Sequence, residues 1–237
     1  MQDYTPVDLA PVRNVGTQFV SPDAEPPLGS QWFHGLPFQI GDDPNRCFIG
    51  FDVHTQDTIT IPVASSARTI IFAHALLDTR IPEGDPVGQP VAHYAVHFDN
   101  GETIDLPVRE RFEVSIIPTP WGQWPFLAVP DQPDGLVPRE SGHWDQIGWR
   151  QAEATYAHAN DYYLWAWQNP HPDRTIEHLT ITSVGRKFLV AAITLGHVDE
   201  TPFFRQGRVP VKITLPQPED ADQAFDLVVT IDRGVAT

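Results

Sequence analysis

Residues 93–108, HYAVHFDNGETIDLPV, indicate the fold class of the chain. Two runs rich in apolar and β-branched residues flank Asp99–Asn100–Gly101, and Asn-Gly readily adopts the positive φ angles of a tight hairpin turn. We therefore predict two antiparallel strands, Val91–Phe98 and Thr103–Arg109, joined by a hairpin turn.

Segments of the same character lie on both sides of this hairpin. β-Branched and aromatic residues dominate them, and Gly, Pro, Asp and Asn separate them. The further predicted strands are Leu36–Ile40, Cys47–Val53, Thr58–Val63, Thr69–Ala75, Tyr162–Gln168, Thr175–Ser183 and Phe188–Leu195. Only residues 151–160 have helical character. Short strands at regular spacing predict an all-β protein, a two-sheet antiparallel β-sandwich of the jelly-roll type.

Three segments differ in their pattern along the chain. Residues 1–30 are rich in Pro, Asp and Gly, which predicts an extended N-terminal segment that packs on the sandwich. Residues 31–198 form the expected sandwich domain. Residues 199–237 contain two more candidate strands, Val209–Leu215 and Phe225–Asp232, which either close the sandwich or begin another module.

Composition restricts the classes of partner. A net charge of −16 argues against nucleic acid and anionic membranes, because both need clustered Lys and Arg. The single cysteine, Cys47, cannot form an internal disulfide and is expected to be a buried small apolar residue. The N-terminus MQDYTPVDL lacks the features of a signal peptide, and no apolar run has the length of a membrane span. The sequence alone therefore leaves the localisation unknown.

The strongest functional signal is a Trp-rich stretch from Glu110 to Tyr156, which is predicted to be a long loop region. A flat indole can cover the C–H face of a pyranose while neighbouring polar groups bond its hydroxyls. The predicted ligand-binding residues are Arg109, Arg111, Trp121, Trp124, His143, Trp144, Asp145 and Trp149. The alternative is that some of these indoles close the ends of the sandwich.

Other aromatic and histidine residues are predicted to be structural. Tyr163, Trp165 and Trp167 alternate along one strand and are assigned to the core, as is His74. His93 and His97 point to the same side of one strand, with Glu102 beyond the turn, but their spacing does not match a cupin metal motif. We therefore predict no metal site.

Two acidic clusters raise the question of a structural calcium ion, the one cofactor that we consider. They comprise Asp42, Asp43, Asn45 and Asp52 in the first cluster, and Asp78, Glu83 and Asp85 in the second. Calcium takes six to eight oxygen ligands, but neither run has the spacing of a defined calcium loop. Solvated acidic turns are the favoured interpretation, and we predict no bound cofactor.

Catalytic function is the alternative to simple binding. Carboxylates that could form a glycosidase acid and base pair flank the Trp-rich stretch: Glu110, Glu113, Glu140, Asp145 and Glu153. Tyr156 and His158 could act as the base and acid of a polysaccharide lyase. No nucleophile elbow, phosphate-binding loop, dinucleotide fingerprint or zinc-protease motif is present.

Residues 4–196 resemble β-sandwich accessory domains of bacterial glycan-processing proteins, of the galactose-binding or carbohydrate-binding-module type. The most distinctive pieces are Phe72–Ala75, Val96–Gly101 and Trp167–Pro170. The resemblance implies a non-catalytic carbohydrate-binding domain in a secreted or periplasmic protein. The resemblance is also compatible with a structural role, in which the domain forms a homo-oligomer or docks on a neighbouring domain. Residues 110–126 are longer and more aromatic than the corresponding loop of such domains, so the ligand is not transferred.

Overall fold

The computed structural model describes residues 2–54, 58–119, 123–132, 161–204, 231–232 and 235–236. Within them the strands are β1 (Tyr4–Pro6), β2 (Ser30–Phe33), β3 (Leu36–Gln39), β4 (Ile49–Phe51), β5 (Thr58–Ser66), β6 (Thr69–Leu76), β7 (Pro90–Phe98), β8 (Thr103–Arg109), β9 (Ala128–Pro130), β10 (Tyr163–Gln168), β11 (Thr175–Ser183), β12 (Phe188–Gly196), β13 (Ile231–Asp232) and β14 (Val235–Ala236). The helices of this described part are three short 3-10 turns at Thr17–Phe19, Ile81–Glu83 and Pro202–Phe204.

Two antiparallel sheets make up the sandwich. The larger sheet has the order β1-β12-β6-β10-β9, with β4 paired to the same edge of β12 as β1. The smaller sheet has the order β5-β11-β7-β8. Chain-consecutive strands such as β5, β6 and β7 alternate between the two sheets. The predicted all-β, antiparallel fold class is confirmed.

The inner faces of the two sheets contact each other. Tyr94 on β7 lies 4.8 Å from the ring of Phe72 on β6, measured between ring centroids, and its hydroxyl lies 3.0 Å from His74 Nδ1. Alternation along β7 buries Tyr94, Val96 and Phe98 and turns the intervening residues outward. One apolar cluster therefore joins residues of both sheets.

The outer face of the larger sheet is covered too. The hairpin β2–β3 and residues 47–48 pack Leu36, Phe38 and Phe48 against Ile71 and Leu164 of the sheet. This second layer explains why every residue of β6 is buried, a pattern typical of a strand enclosed on both sides.

A β-bulge in β12 changes which of its side chains face the inner and the outer apolar clusters. The pairing of β12 with β6 shifts register between Val190 and Ala192, and such an insertion reverses the side-chain alternation after it. Val190 and Ile193 consequently share the inner cluster, whereas Ala191 and Ala192 lie in the outer one.

Most predicted strands are confirmed to within a few residues, and Thr103–Arg109 and Thr175–Ser183 have the predicted bounds. The hairpin turn is also confirmed: Gly101 has φ +81°, and Phe98 N donates to Glu102 O at 2.9 Å. Four of the described strands were not predicted: β1, β2, β9 and β14. β1 lies in the segment expected to be merely extended, and its Tyr4–Pro6 pairs with β12.

The chain divides into two compact units, Met1–Arg205 and Gln206–Thr237. In the second unit the described residues form the two-stranded pair β13–β14. Of the predicted C-terminal strands, Val209–Leu215 and most of Phe225–Asp232 lie outside the described residues. The described residues contain no helix with the length and apolar character that crossing a membrane requires.

Candidate ligand-binding surface

The predicted site begins where β8 ends, in a tight turn at residues 109–114. Phe112 N donates to Arg109 O at 3.1 Å, and Arg111 N donates to Val114 O at 2.8 Å. Arg111 has φ +70°, in the left-handed region that residues other than glycine rarely adopt. The backbone conformation of this turn is therefore fixed by its own hydrogen bonds.

A buried ion pair anchors the turn to the sandwich. Glu110 is 2% exposed and accepts from Arg186 Nη2 at 3.0 Å and from the Thr79 hydroxyl. Arg186 also donates to the backbone oxygen of Asp78 at 2.9 Å, and the Asp78 carboxylate accepts from Lys187 N at 3.0 Å. Each charge in this cluster has a partner, as buried charges require.

A second ion pair joins two residues of the turn itself, Arg109 and Glu113. Arg109 donates to both carboxylate oxygens of Glu113, at 3.1 Å and 2.6 Å, and this bidentate bond raises the pKa of Arg109. The Glu113 carboxylate also accepts from Arg109 N at 2.8 Å, and the Glu113 backbone oxygen lies 2.8 Å from His74 Nε2. This pair therefore links the turn to the core.

Residues 123–127 lie against the turn. Phe126 N donates to Arg111 O and Leu127 N donates to Phe112 O, each at 2.9 Å. Arg111 Nε donates to Trp124 O at 3.1 Å. Hydrogen bonds thus join residues 123–127 and the turn at 109–114 into one surface.

This surface displays aromatic rings between arginines, and we call it the aromatic–arginine patch, comprising Arg109, Arg111, Phe112, Trp124 and Phe126. The Arg109 guanidinium carbon lies 4.4 Å from the Phe112 ring centroid, and that of Arg111 lies 5.4 Å from the Phe126 centroid. Phe112 and Phe126 meet edge to face at 5.3 Å between centroids. Phe126 remains 64% exposed. An exposed ring in a fixed position can serve as a contact platform.

Three of the predicted ligand-binding residues lie in this patch: Arg109, Arg111 and Trp124. Trp124 is half-buried, and Arg109 is largely engaged by Glu113. The other five lie outside the described residues: Trp121, His143, Trp144, Asp145 and Trp149. The predicted helix at residues 151–160 and the predicted lyase pair also lie outside them.

The sequence interpretation missed two exposed rings. It missed Phe126 because it weighted indoles above phenyl rings, and it missed Trp32 because it predicted no strand at Ser30–Phe33. Phe126 stands in the motif Trp124–Pro125–Phe126, which already marked the loop as aromatic. Trp32, on the outward side of the hairpin β2–β3, is 70% exposed and borders an open cleft of about 360 Å³ together with Tyr4, Pro6 and Pro37. Its position in a strand of alternating exposure could have revealed it.

A pair of aspartates lies at the edge of the undescribed stretch 133–160. Asp161 N donates to Asp131 Oδ2 at 3.1 Å, and Asp131 is 2% exposed. Burial, together with repulsion from Asp131, raises the pKa of Asp161 to about 6. The sequence offered no signal for this pair, since the two residues are far apart along the chain.

The acidic clusters are largely engaged in turn hydrogen bonds. Asp43 Oδ1 accepts from Asn45 N at 2.9 Å, and Asp52 Oδ1 accepts from His54 N at 2.7 Å. In the second cluster Asp78 binds Arg186 and Lys187, as described above. Within the described ranges, no three His, Cys, Asp or Glu side chains lie close enough together to hold a metal ion.

The residues assigned to the core lie there. Trp165 is buried in the inner cluster and Trp167 packs against it, while Cys47 is buried in the outer cluster. His74 is fully buried with both ring nitrogens bonded, and burial lowers its pKa to about 4. His93 is instead on the surface, paired with Asp105 at 2.9 Å.

Comparison of the chain with protein-family models, with curated proteins and with solved structures gives no match.

Proposed function

We propose that this chain is a non-catalytic glycan-binding domain whose described contact surface is the aromatic–arginine patch. The observation that carries the proposal is the fixed, exposed ring of Phe126 beside the guanidinium of Arg111. A phenyl face can cover the C–H side of a pyranose, and a guanidinium can bond its hydroxyls or a uronate carboxylate.

Support also comes from the rigidity beneath the patch. The ion pairs Arg186–Glu110 and Arg109–Glu113 hold the turn before any ligand arrives. A preorganised surface loses little conformational entropy on binding. This raises its affinity for ligands that make few strong contacts, such as sugars. The net charge of −16 disfavours long polyanionic glycans, so neutral or sparsely charged chains are the expected ligands.

Isothermal titration against a panel of neutral and uronate-containing oligosaccharides tests the proposal. Phe126→Ala is expected to weaken binding about tenfold, because it removes one stacking ring. Trp32→Ala is the matched control, since it removes an equally exposed aromatic ring from the hairpin β2–β3. Absence of binding at millimolar sugar, or equal affinity of Phe126→Ala and the parent, would overturn the proposal.

A self-association surface makes a different prediction in light scattering. Phe126 and Leu127 are both exposed apolar residues. A dimer that dissociates in Phe126→Asp, without glycan binding in the parent, would assign the patch to assembly instead.

A glycoside hydrolase is the second candidate, and the raised pKa of Asp161 beside Asp131 favours it. Glu110 and Glu113, by contrast, are buried and bonded to arginines. Labelled oligosaccharides separate the two functions: new reducing ends that disappear in Asp161→Asn indicate hydrolysis, and intact substrate indicates binding alone.

A further inference from the structure

Two histidines face each other across neighbouring strands on the outer side of the smaller sheet. His97 on β7 is the cross-strand partner of His178 on β11. Their imidazole rings are stacked, with centroids 4.2 Å apart and planes inclined by 14°. Spacing within one strand could not reveal this pair, because its members are 81 positions apart in the numbering of the chain.

A β-bulge shapes the surroundings of the pair. The pairing of β11 shifts register between Ile176 and His178, with Ile176 buried and Glu177 exposed. A bulge places two residues of one strand opposite one residue of its partner. Glu177 is thus the exposed residue that precedes His178 in the bulged strand.

One ring nitrogen of His97 forms a hydrogen bond, and the other has no partner among the described residues. Nδ1 lies 3.0 Å from the hydroxyl oxygen of Thr103, the residue opposite it on β8. Nε2 has no hydrogen-bond partner among the described residues and is shielded from solvent. When Nδ1–H donates to the Thr103 hydroxyl, Nε2 carries the lone pair that a metal ion requires.

We propose that His97 and His178 together bind a divalent transition-metal ion, zinc or copper, on the outer face of the smaller sheet. Imidazole is a common ligand of both ions, at nitrogen–metal distances of about 2.0–2.1 Å. Because the ring planes are nearly parallel, the nitrogen lone pairs do not converge in the stacked arrangement, and binding of one ion requires rotation of the two side chains. Two protein nitrogens leave the remaining coordination positions to water once the rotation has exposed the shielded Nε2 of His97.

Charge favours the site as well. Two adjacent imidazoles repel each other when both are protonated, whereas an ion between them is attracted by both lone pairs. The carboxylate of Glu177 and the net charge of −16 raise the local concentration of cations.

The test is titration of the full chain with Cu²⁺ and, separately, with Zn²⁺, together with paramagnetic resonance of the copper complex. The parent is expected to bind one ion at this site with nitrogen hyperfine structure from two imidazoles. His178→Gln and, independently, His97→Gln are expected to weaken binding about tenfold or more and to leave one imidazole on the copper.

His93→Gln is the matched control, because His93 lies on the same face of β7 but is paired with Asp105. It should retain the affinity and the two-nitrogen spectrum of the parent. Unchanged affinity in both His97→Gln and His178→Gln, or no binding to the parent at about 100 μM metal, would overturn the proposal. Circular dichroism of each variant establishes that a loss of binding is not a loss of fold. Glycan titrations are independent of these measurements, so the two proposals can fail separately.

Discussion

The two ends of β8 carry the same kind of interaction in opposite surroundings. At the hairpin end, Glu102 binds His171 at 2.9 Å and also binds Arg174, and all three side chains are about a third or more exposed. At the other end, Glu110 binds Arg186 with both side chains almost wholly buried. One strand of seven residues thus separates a solvated ion pair from a buried one.

Burial decides what each pair does for the fold. An exposed ion pair loses some hydration and gains only a weak attraction, so its net contribution to the free energy of unfolding is small. A buried pair has lost its hydration, so removing one partner leaves the other charge uncompensated in a medium of low polarity. The buried end, which carries the aromatic–arginine patch, should therefore be far more sensitive to substitution than the hairpin end.

The largest expected effect is that of Glu110→Ala. It removes the closer of the two carboxylates that pair with the buried Arg186 guanidinium and leaves Asp78 Oδ1, 3.3 Å from Nε, which costs about 3 kcal/mol in the free energy of unfolding. Urea unfolding of the full chain measures it. The double variant Glu110→Leu with Arg186→Met is expected to recover most of the loss, because it removes both charges together. A loss below about 1 kcal/mol for Glu110→Ala would contradict the assignment of this end as the sensitive one.

An intermediate effect on the free energy of unfolding is expected from protonation of His74. Its ring is hydrogen-bonded to the backbone oxygen of Glu113 at the buried end of β8. Its folded pKa of about 4 lies below the ordinary value of about 6.5, so the unfolded chain binds the proton more readily. The stabilisation is complete above pH 6.5 and is lost as the pH falls towards 4, by about 3 kcal/mol in total.

Unfolding at pH 7.5, 6, 5 and 4 measures this loss, with His74→Gln as the reference that lacks the group. Asp161 acts with the opposite sign, because its raised pKa favours proton uptake by the folded chain as the pH falls through about 6. The difference between the parent and His74→Gln cancels that contribution. A difference that does not change between pH 6.5 and 4 would show that His74 is not buried in its neutral form.

The hairpin itself could be predicted from sequence because its information is local, whereas the ion pairs of Glu102 with His171 and Arg174 could not. Asn100–Gly101 specifies the turn, and the alternation along β7 specifies which residues face inward. The assignments of His74 and Trp165 to the core succeeded because each lies in a locally apolar run, IIFAHALL and YYLWAWQ respectively.

The buried end could not be predicted because its partners are far apart in sequence. Arg186 pairs with Glu110 across 76 positions, which no local pattern encodes. The contact between His97 and His178, near the hairpin end, was missed for the same reason. Glu110 and Glu113 were read as possible catalytic carboxylates, whereas the structure buries them against arginines. Phe126 was passed over because phenyl rings are usually core residues, and only the fold shows its exposure.

The smallest expected effect is that of Glu102→Gln at the hairpin end. The hydrogen bond from Asn100, followed by the bond from His171, lowers the pKa of Glu102 below its ordinary value. The carboxylate thus contributes stability above the ordinary carboxyl pKa of about 4.3, and this contribution is lost as the pH falls through the lowered pKa. Because the group is exposed, we expect the urea midpoints of Glu102→Gln and the parent to agree within error at pH 7 in 1 M NaCl, where salt screens the ion pairs. Any difference seen at low salt should shrink as the pH falls below about 4.3. A loss of stability at pH 7 as large as that caused by Glu110→Ala would contradict the idea that burial makes one end of β8 more sensitive to substitution than the other.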